Sequence, residues 1–225
     1  MESIISDALV NHMKVNGLFT SKQFGFLKGR STALQLLNVL DEWTKLLDAG
    51  IPIDVVYTDF QKAFDSVPHR RLMSKLEAYG VHGHLFSWIK SFLTGRKQRV
   101  VINGLKSIWK AVISGVPQGS VLGPILFLIY INDIVDNLSC TAYLFADDMK
   151  LFNGITQDAD MAHLQSDICA VDAWTDHWLL KLNAQKCKIM TVSRYNKDRS
   201  TGIHVIIYLL AEQTTNYKWY LMRRI

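Results

Sequence analysis

Thr141-Ala142-Tyr143-Leu144-Phe145-Ala146-Asp147-Asp148-Met149-Lys150-Leu151-Phe152 sets two adjacent carboxylates inside an otherwise apolar run. Short apolar segments on either side of an acidic step read as two β-strands joined by a tight turn, a hairpin whose tip carries the charge. Two aspartates at one tip repel each other, and a cation relieves that repulsion. Mg²⁺ takes oxygen ligands and is commonly shared between one or two carboxylates and substrate phosphates. The doublet therefore points toward phosphoryl or nucleotidyl transfer. Taken alone, such a pair is more often a solvated turn.

Working outward, a second acid stands at another strand end. Ile53-Asp54-Val55-Val56-Tyr57-Thr58-Asp59-Phe60 is a β-branched and aromatic run that closes near Asp59, followed by Gln61-Lys62-Ala63-Phe64-Asp65-Ser66-Val67-Pro68, a turn and the approach to a helix. A carboxylate at a strand end is well placed to meet a hairpin tip on a neighbouring strand. Asp59, Asp147 and Asp148 together suit two divalent ions, an arrangement that activates an attacking oxygen and stabilises a leaving one during in-line displacement. Asp65 is a fourth carboxylate nearby. It reads as a helix N-cap or a partner for Arg70 or Arg71.

Between these acids lies Ser114-Gly115-Val116-Pro117-Gln118-Gly119-Ser120-Val121-Leu122-Gly123-Pro124. Its glycines and prolines mark a loop able to bring backbone close to a ligand, although as an isolated stretch it is also an ordinary structural turn. Gln118 offers both a donor and an acceptor to a base or sugar edge. The apolar run Ile125 to Ile131 that follows suits a helix packed under a sheet.

These phrases, in this order, resemble the reverse transcriptases of non-LTR (LINE-type) retrotransposons. The resemblance runs through Gln23-Phe24-Gly25-Phe26-Leu27-Lys28-Gly29-Arg30-Ser31-Thr32, Tyr57 to Asp65, Gly115 to Pro124 and Phe145 to Asp148. It ends near Leu182-Asn183-Ala184-Gln185-Lys186-Cys187. It covers residues 1–194 and implies an α+β fold, a polymerase palm with an antiparallel sheet and helices packed on one side, plus part of the fingers. Residues 195–225 are then a degenerate or divergent tail, in which Asn216 to Leu221 only loosely matches a primer-contacting strand.

The resemblance implies a role for each matching position. Asp59 and Asp147 match the metal-binding aspartates, with Asp148 as a less critical neighbour and Phe60 offering its backbone carbonyl to a metal. Phe64 matches the bulky residue against the sugar of the incoming nucleotide, where a ring excludes a 2′-hydroxyl. An ordinary core role for that ring stays open. Gln118 and Gly119 match the loop that shapes the nucleotide pocket. Lys186 falls where the family carries a lysine near the triphosphate, and Arg30 lies in a basic segment near triphosphate or template. The implied cofactor is Mg²⁺, two ions, with Mn²⁺ as substitute. The implied partners are an RNA or DNA template-primer and dNTPs. Phe145 stands where many relatives carry Tyr, and the aromatic bulk is kept. An upstream fingers phrase, a thumb and an endonuclease are not recognised, so the expectation is a fragment of an RNA-directed DNA polymerase. The alternatives are a catalytically inactive remnant that at most binds nucleic acid and, less favoured, a group II intron-type maturase.

Composition sets bounds on this reading. The chain has 225 residues, 49% of them hydrophobic, enough for a sizeable core, and its net charge of +5 suits a polyanionic partner. Arg96-Lys97-Gln98-Arg99 is a dense basic stretch that fits either a template-primer backbone or a solvated loop. Cys140, Cys169 and Cys187 show no zinc spacing and suit a reducing compartment. His82 and His84 lack the companions a zinc site needs. Met1 to Val10 carries no signal-peptide pattern, and the apolar runs Val121 to Ile131 and Ile203 to Leu210 are too short to span a bilayer. The expected setting is intracellular, with no membrane. Periodicity predicts helices over 1–16, 32–49, 70–79, 85–93, from about 120, and over 158–180. It predicts a strand at 53–59, and a hairpin of 100–102 with 105–113 through Asn103-Gly104.

Overall fold

The strand Ile53-Asp54-Val55-Val56-Tyr57-Thr58 sets Ile53, Val55 and Tyr57 on one phase of its alternation and Val56 on the other, so it has apolar side chains to bury on both faces, as a strand inside a sheet does. In the computed structural model it is β1 (Ile53–Thr58), the middle strand of a five-stranded antiparallel sheet. The described residues are 1–197, 200–209, 211–212 and 219–220, with side chains through Arg194. The chain divides into two compact units. One comprises Met1–Phe19, Lys62–Asn132 and Trp178–Leu180, and the other Thr20–Gln61, Asp133–His177 and the chain from Lys181.

The sheet belongs to the second unit. Its remaining strands are β6 (Thr141–Phe145), β7 (Asp148–Gly154), β8 (Lys188–Lys197) and β9 (Ser200–Leu209), in the order β6-β7-β1-β8-β9. Alternation along β1 assigns its two faces. Val56 packs with Leu151 and Ile189 against Leu164 and Ile168 of α7 (Asp158–Trp178). Ile53 and Val55 pack with Phe152, Tyr143 and Val192 against Val39 and Leu47 of α2 (Thr32–Asp48). The α+β expectation holds, with one correction: helices cover both faces of this sheet. The reason is legible in β1, whose apolar residues at both phases demand cover above and below. Ser31 starts α2 as its N-cap, the side chain accepting from Leu34 N at 3.2 Å. Asp54, buried on the α7 side of the alternation, accepts a 2.6 Å hydrogen bond from Thr191 Oγ1.

The first unit is mainly helical. Here α1 (Glu2–Val15), α4 (His69–Ala78) and α6 (Leu122–Ile131) pack together, with α5 (Gly83–Leu93) against α4 and the single turn α3 (Ala63–Ser66) preceding it. Leu9, Met13, Leu72, Leu76, Leu126 and Phe127 are fully buried. Because α6 is apolar all round, it is buried all round. Glu2 supplies what its N-terminus lacks: the carboxylate accepts from Val121 N at 3.0 Å and Leu122 N at 3.3 Å.

The hairpin at Asn103-Gly104 forms as expected, both turn residues having positive φ. Its arms are shorter than predicted. β3 (Val101–Ile102) pairs with β4 (Leu105–Lys106), and the ladder then breaks before β5 (Lys110–Ala111) pairs with β2 (Lys97–Gln98). Ser107 causes the break, since its hydroxyl accepts from Val100 N at 2.9 Å while its own N–H bonds Val100 O. Of the phrase from Asn216 to Leu221, only Trp219 and Tyr220 are described, as β11 (Trp219–Tyr220) paired with β10 (Ala211–Glu212); its other residues lie outside the described ones, as does Leu210. No described helix is long and apolar enough to cross a membrane.

Candidate active site

Register brings the acids together. β1 pairs antiparallel with β7 up to Thr58 opposite Met149, so Asp59, one step beyond on β1, meets the level of Asp148 on β7. Phe145 pairs with Asp148, which leaves Ala146 and Asp147 as the two-residue turn of the hairpin. Ala146 has φ +57°. A non-glycine residue held there costs about 1–2 kcal/mol, so surrounding contacts must impose it. One of them is Gly25, whose absent Cβ would lie 2.4 Å from Ala146 N.

Asp59 is fixed by its neighbours. Asp59 O accepts from Asn183 N at 2.7 Å, Gln61 N donates to Lys181 O at 2.8 Å, and Phe60 bridges Leu182 between them. In that antiparallel bridge Phe60's own carbonyl points away from Leu182. Asp59 N donates to Cys187 Sγ at 3.4 Å. Asp59 and Asp148 line a cleft of about 480 Å³ with Thr32, Gln35, Tyr57, Phe145, Lys150 and Lys186. Burial raises the pKa of Asp147, and Asp148 and Asp59 push it further; burial and then Asp59 do the same for Asp148. Asp59 Oδ1 is buried with no hydrogen-bond partner, while Oδ2 lies 3.5 Å from Lys186 Nζ.

The first unit holds the other expected residues. Phe64 is half-buried and stacks on Phe127, centroids 4.2 Å apart and rings 18° from parallel. Gln118 Nε2 donates to Asp65 Oδ1 at 2.8 Å, and Gly119 follows with φ +77°. Asp65 is neither an N-cap nor an arginine partner: it lies inside α3, whose N-cap is Lys62, and Pro68 stands at the N-cap of α4. Asp65 and Gln118 line a cleft of about 620 Å³ with Lys62, Arg96, Gln98 and the 111–116 segment.

Residues 1–219 match the family described as reverse transcriptase (RNA-dependent DNA polymerase). This chain belongs to the reverse transcriptase family. It is 31% identical over 200 residues to a probable RNA-directed DNA polymerase from transposon BS of Drosophila melanogaster, covering 82% of this chain and 21% of that protein. It is 30% identical to the RNA-directed DNA polymerase from mobile element jockey of Drosophila funebris, covering 97% and 25%. A Pol polyprotein from the type-1 retrotransposable element R2 of Popillia japonica is 27% identical, covering 61% and 24%. The non-LTR kinship expected from the sequence is thus borne out, and the chain spans roughly a fifth to a quarter of these relatives. Telomerase from Candida albicans, solved in complex with a TWJ fragment of telomeric RNA, shares the fold with TM-score 0.64 at 14% identity, covering 88% of this chain and 35% of that one. Apo telomerase from Candida tropicalis, truncated from its C-terminal domain, gives 0.63 at 12%, covering 88% of this chain and 41% of that one.

Reverse transcriptases generally use divalent metal ions, and the cleft offers oxygen donors that suit one. An orphaned, buried carboxylate oxygen on Asp59, together with Asp147 and Asp148, whose pKa values burial and the Asp59 charge both raise, is a site short of positive charge. Among the described residues no three His, Cys, Asp or Glu side chains gather closely enough to close a ligand set by themselves. Lys186 lines this cleft. Arg30 does not line it: its Nη1 donates to Ser21 O at 3.0 Å and its guanidinium lies over the Phe24 ring at 4.6 Å, so it braces its own loop. Sequence reasoning missed Lys150 and Tyr57, which pair across β7 and β1 and both line the cleft. Burial pulls the Lys150 ammonium below its usual range, opposed by Asp148. The signal was available, since Lys150 is the one charged residue within Met149 to Phe152.

Proposed function

We propose that the chain is the catalytic part of an RNA-directed DNA polymerase of a retrotransposon, extending a primer 3′-hydroxyl with dNTPs on an RNA or DNA template. The observation that carries this is the buried, unpartnered Oδ1 of Asp59 at the level of the Asp147-Asp148 turn. In this reading residues 1–194 are a palm with part of the fingers and 195–225 a divergent tail.

Asp59 and Asp147 would hold two Mg²⁺ ions, with Asp148 beside them and the Phe60 carbonyl as a further oxygen donor. Bound ions of this kind activate the attacking oxygen and neutralise the leaving pyrophosphate. The chain's own groups do the remainder. The carboxylates supply negative charge at a fixed strand end, and Lys186 supplies a positive charge for a triphosphate beside them. Phe64 packs against deoxyribose and excludes a 2′-hydroxyl, while Gln118 and Gly119 shape the nucleotide pocket. Arg30 acts on template or triphosphate through the loop it braces. The net charge of +5 suits a polyanion held mostly through phosphates, with binding that weakens as salt rises. A nucleic-acid template also fits an intracellular setting, cytoplasm or nucleus.

The test is extension of a labelled primer on RNA by the purified protein in Mg²⁺ and in Mn²⁺. Template-dependent dNTP incorporation that is lost in Asp147→Asn supports the reading. A folded protein that binds primed template yet incorporates nothing with either ion would show an inactive remnant.

A further inference from the structure

The turn that presents Asp147 is gripped by a residue far away in sequence. Residues Lys22 to Phe24 run beside β6 in parallel: Leu144 N donates to Lys22 O at 2.9 Å, and Phe24 N donates to Leu144 O at 2.8 Å. This pairing fixes the backbone of Gln23, whose side chain is only 2% exposed. Its amide then reaches the turn. Oε1 accepts from Ala146 N at 2.8 Å and from Gly25 N at 2.8 Å, and Nε2 donates to Ala146 O at 3.2 Å.

The amide has a single workable orientation. The oxygen faces two N–H donors and the nitrogen faces a carbonyl; the flipped amide would set donors against donors and oxygen against oxygen. Both backbone groups of Ala146 are thereby held by one buried side chain, at the residue whose positive φ sets the direction in which Asp147 leaves the turn. Gly25 completes the grip, since any side chain there would collide with Ala146 N. Glutamine is required by this pattern. Alanine makes none of the bonds, methionine fills the space without them, and glutamate keeps both acceptances but opposes Ala146 O and adds charge beside the acids.

We infer that Gln23 is a positioning residue for the acidic turn, locking Ala146 so that Asp147 is aimed at the cation site. It rests on the nucleotidyl-transfer reading for the cation, but not for the grip itself. Partners that orient metal ligands typically matter by about 10–100-fold in metal affinity or activity.

The experiment uses the chain with Gln23→Met, Gln23→Glu and Asp147→Asn, and two readouts that need no turnover. Hydrogen exchange reports the Ala146 amide, and Mn²⁺ titration followed by electron paramagnetic resonance reports the cation site. For Gln23→Met, Ala146 exchange should accelerate at least about tenfold and Mn²⁺ affinity fall by about 10–100-fold. Gln23→Glu should restore most of the exchange protection. A variant of equal thermal stability with its change on the α7 side, Ile189→Val, should move neither readout. Wild-type exchange at Ala146 and wild-type Mn²⁺ affinity in folded Gln23→Met would overturn the inference. If Gln23→Met does not fold, unprotected Ala146 in folded Gln23→Glu overturns it instead. Mn²⁺ affinity unchanged by Asp147→Asn would sink the metal reading separately, leaving the exchange arm to decide on Gln23.

Discussion

Asp65 and Gln118 are hydrogen-bonded at 2.8 Å across 53 residues of sequence. The bond ties the phrase after β1 to the Pro117-Gln118-Gly119 loop, and the backbone repeats the tie: Val116 N donates to Phe64 O at 2.9 Å and Gly115 N to Val67 O at 2.8 Å. Gly115 has φ +88°, and a Cβ there would lie 2.7 Å from Asp65 O. Two motifs that were read separately are therefore one latched element.

The latch predicts an ordering of variants. Gly115→Ala should destabilise by about 1–3 kcal/mol, because it meets both a strained φ and the Asp65 backbone. Asp65→Asn should be mild, since its amide oxygen still accepts from Gln118, and Asp65→Ala should cost about 0.5–1.5 kcal/mol for one exposed hydrogen bond. Chemical denaturation of the three variants checks the order. Gly115→Ala as stable as the parent would show that the loop moves away freely.

Much of this was legible because it is written in local pattern. The hairpin around Asp147, the strand ending at Asp59 and the helices over Thr32 to Asp48 and Leu122 to Ile131 follow from alternation, caps and apolar runs. What stayed hidden depends on long-range partners. Nothing near Asp65 announces Gln118, and nothing near Gln23 announces Ala146. The second helical cover of the sheet was implicit in Val55 and Val56 pointing to opposite faces, a consequence of period two that the apolar run conceals. The partners of Arg30 were hidden in the same way: the Phe24 ring and the Ser21 carbonyl hold its guanidinium.

Charge removal at the cleft should separate the acids. Asp147→Asn and Asp59→Asn keep shape and lose a charged ligand, so primer extension should fall by about a thousand-fold or more, the equivalent of several kcal/mol of charge stabilisation. Asp148→Asn should lose less. Extension at parental rate by Asp147→Asn, with circular dichroism unchanged, would remove the metal role from the turn.

The cysteines should react in a fixed sequence. Cys140 is buried and its thiol is pushed up to about 12, first by burial and then by the Asp167 carboxylate. Asp167 also accepts from Cys140 N at 2.7 Å, so it stays beside the thiol. Burial raises the Cys187 thiol as well, while Cys169 is exposed. A disulfide reagent at pH 8 should therefore label Cys169 at once, and Cys140 and Cys187 only on unfolding. Mass spectrometry showing early modification of Cys140 would mean that the 139–140 segment opens readily in the native protein.

Sugar selection is the sharpest test of Phe64. Its stack on Phe127 gives the ring a structural reason to exist, worth about 0.5–1.5 kcal/mol beyond area burial. A purely structural ring predicts that Phe64→Val loses stability and leaves the ratio of ribonucleotide to deoxynucleotide incorporation alone. A ring that also walls the sugar pocket predicts a change in that ratio, because rejecting a hydroxyl by collision works only while the obstacle is present. We expect the ratio to rise about tenfold or more, corresponding to ~1.4 kcal/mol of lost discrimination. Single-nucleotide incorporation with matched rNTP and dNTP measures it, and because it is a ratio on one enzyme preparation, partial unfolding cancels. Phe64→Leu, which keeps more bulk against Phe127, should show a smaller rise. An unchanged ratio in a Phe64→Val protein that still incorporates dNTP would return Phe64 to the core.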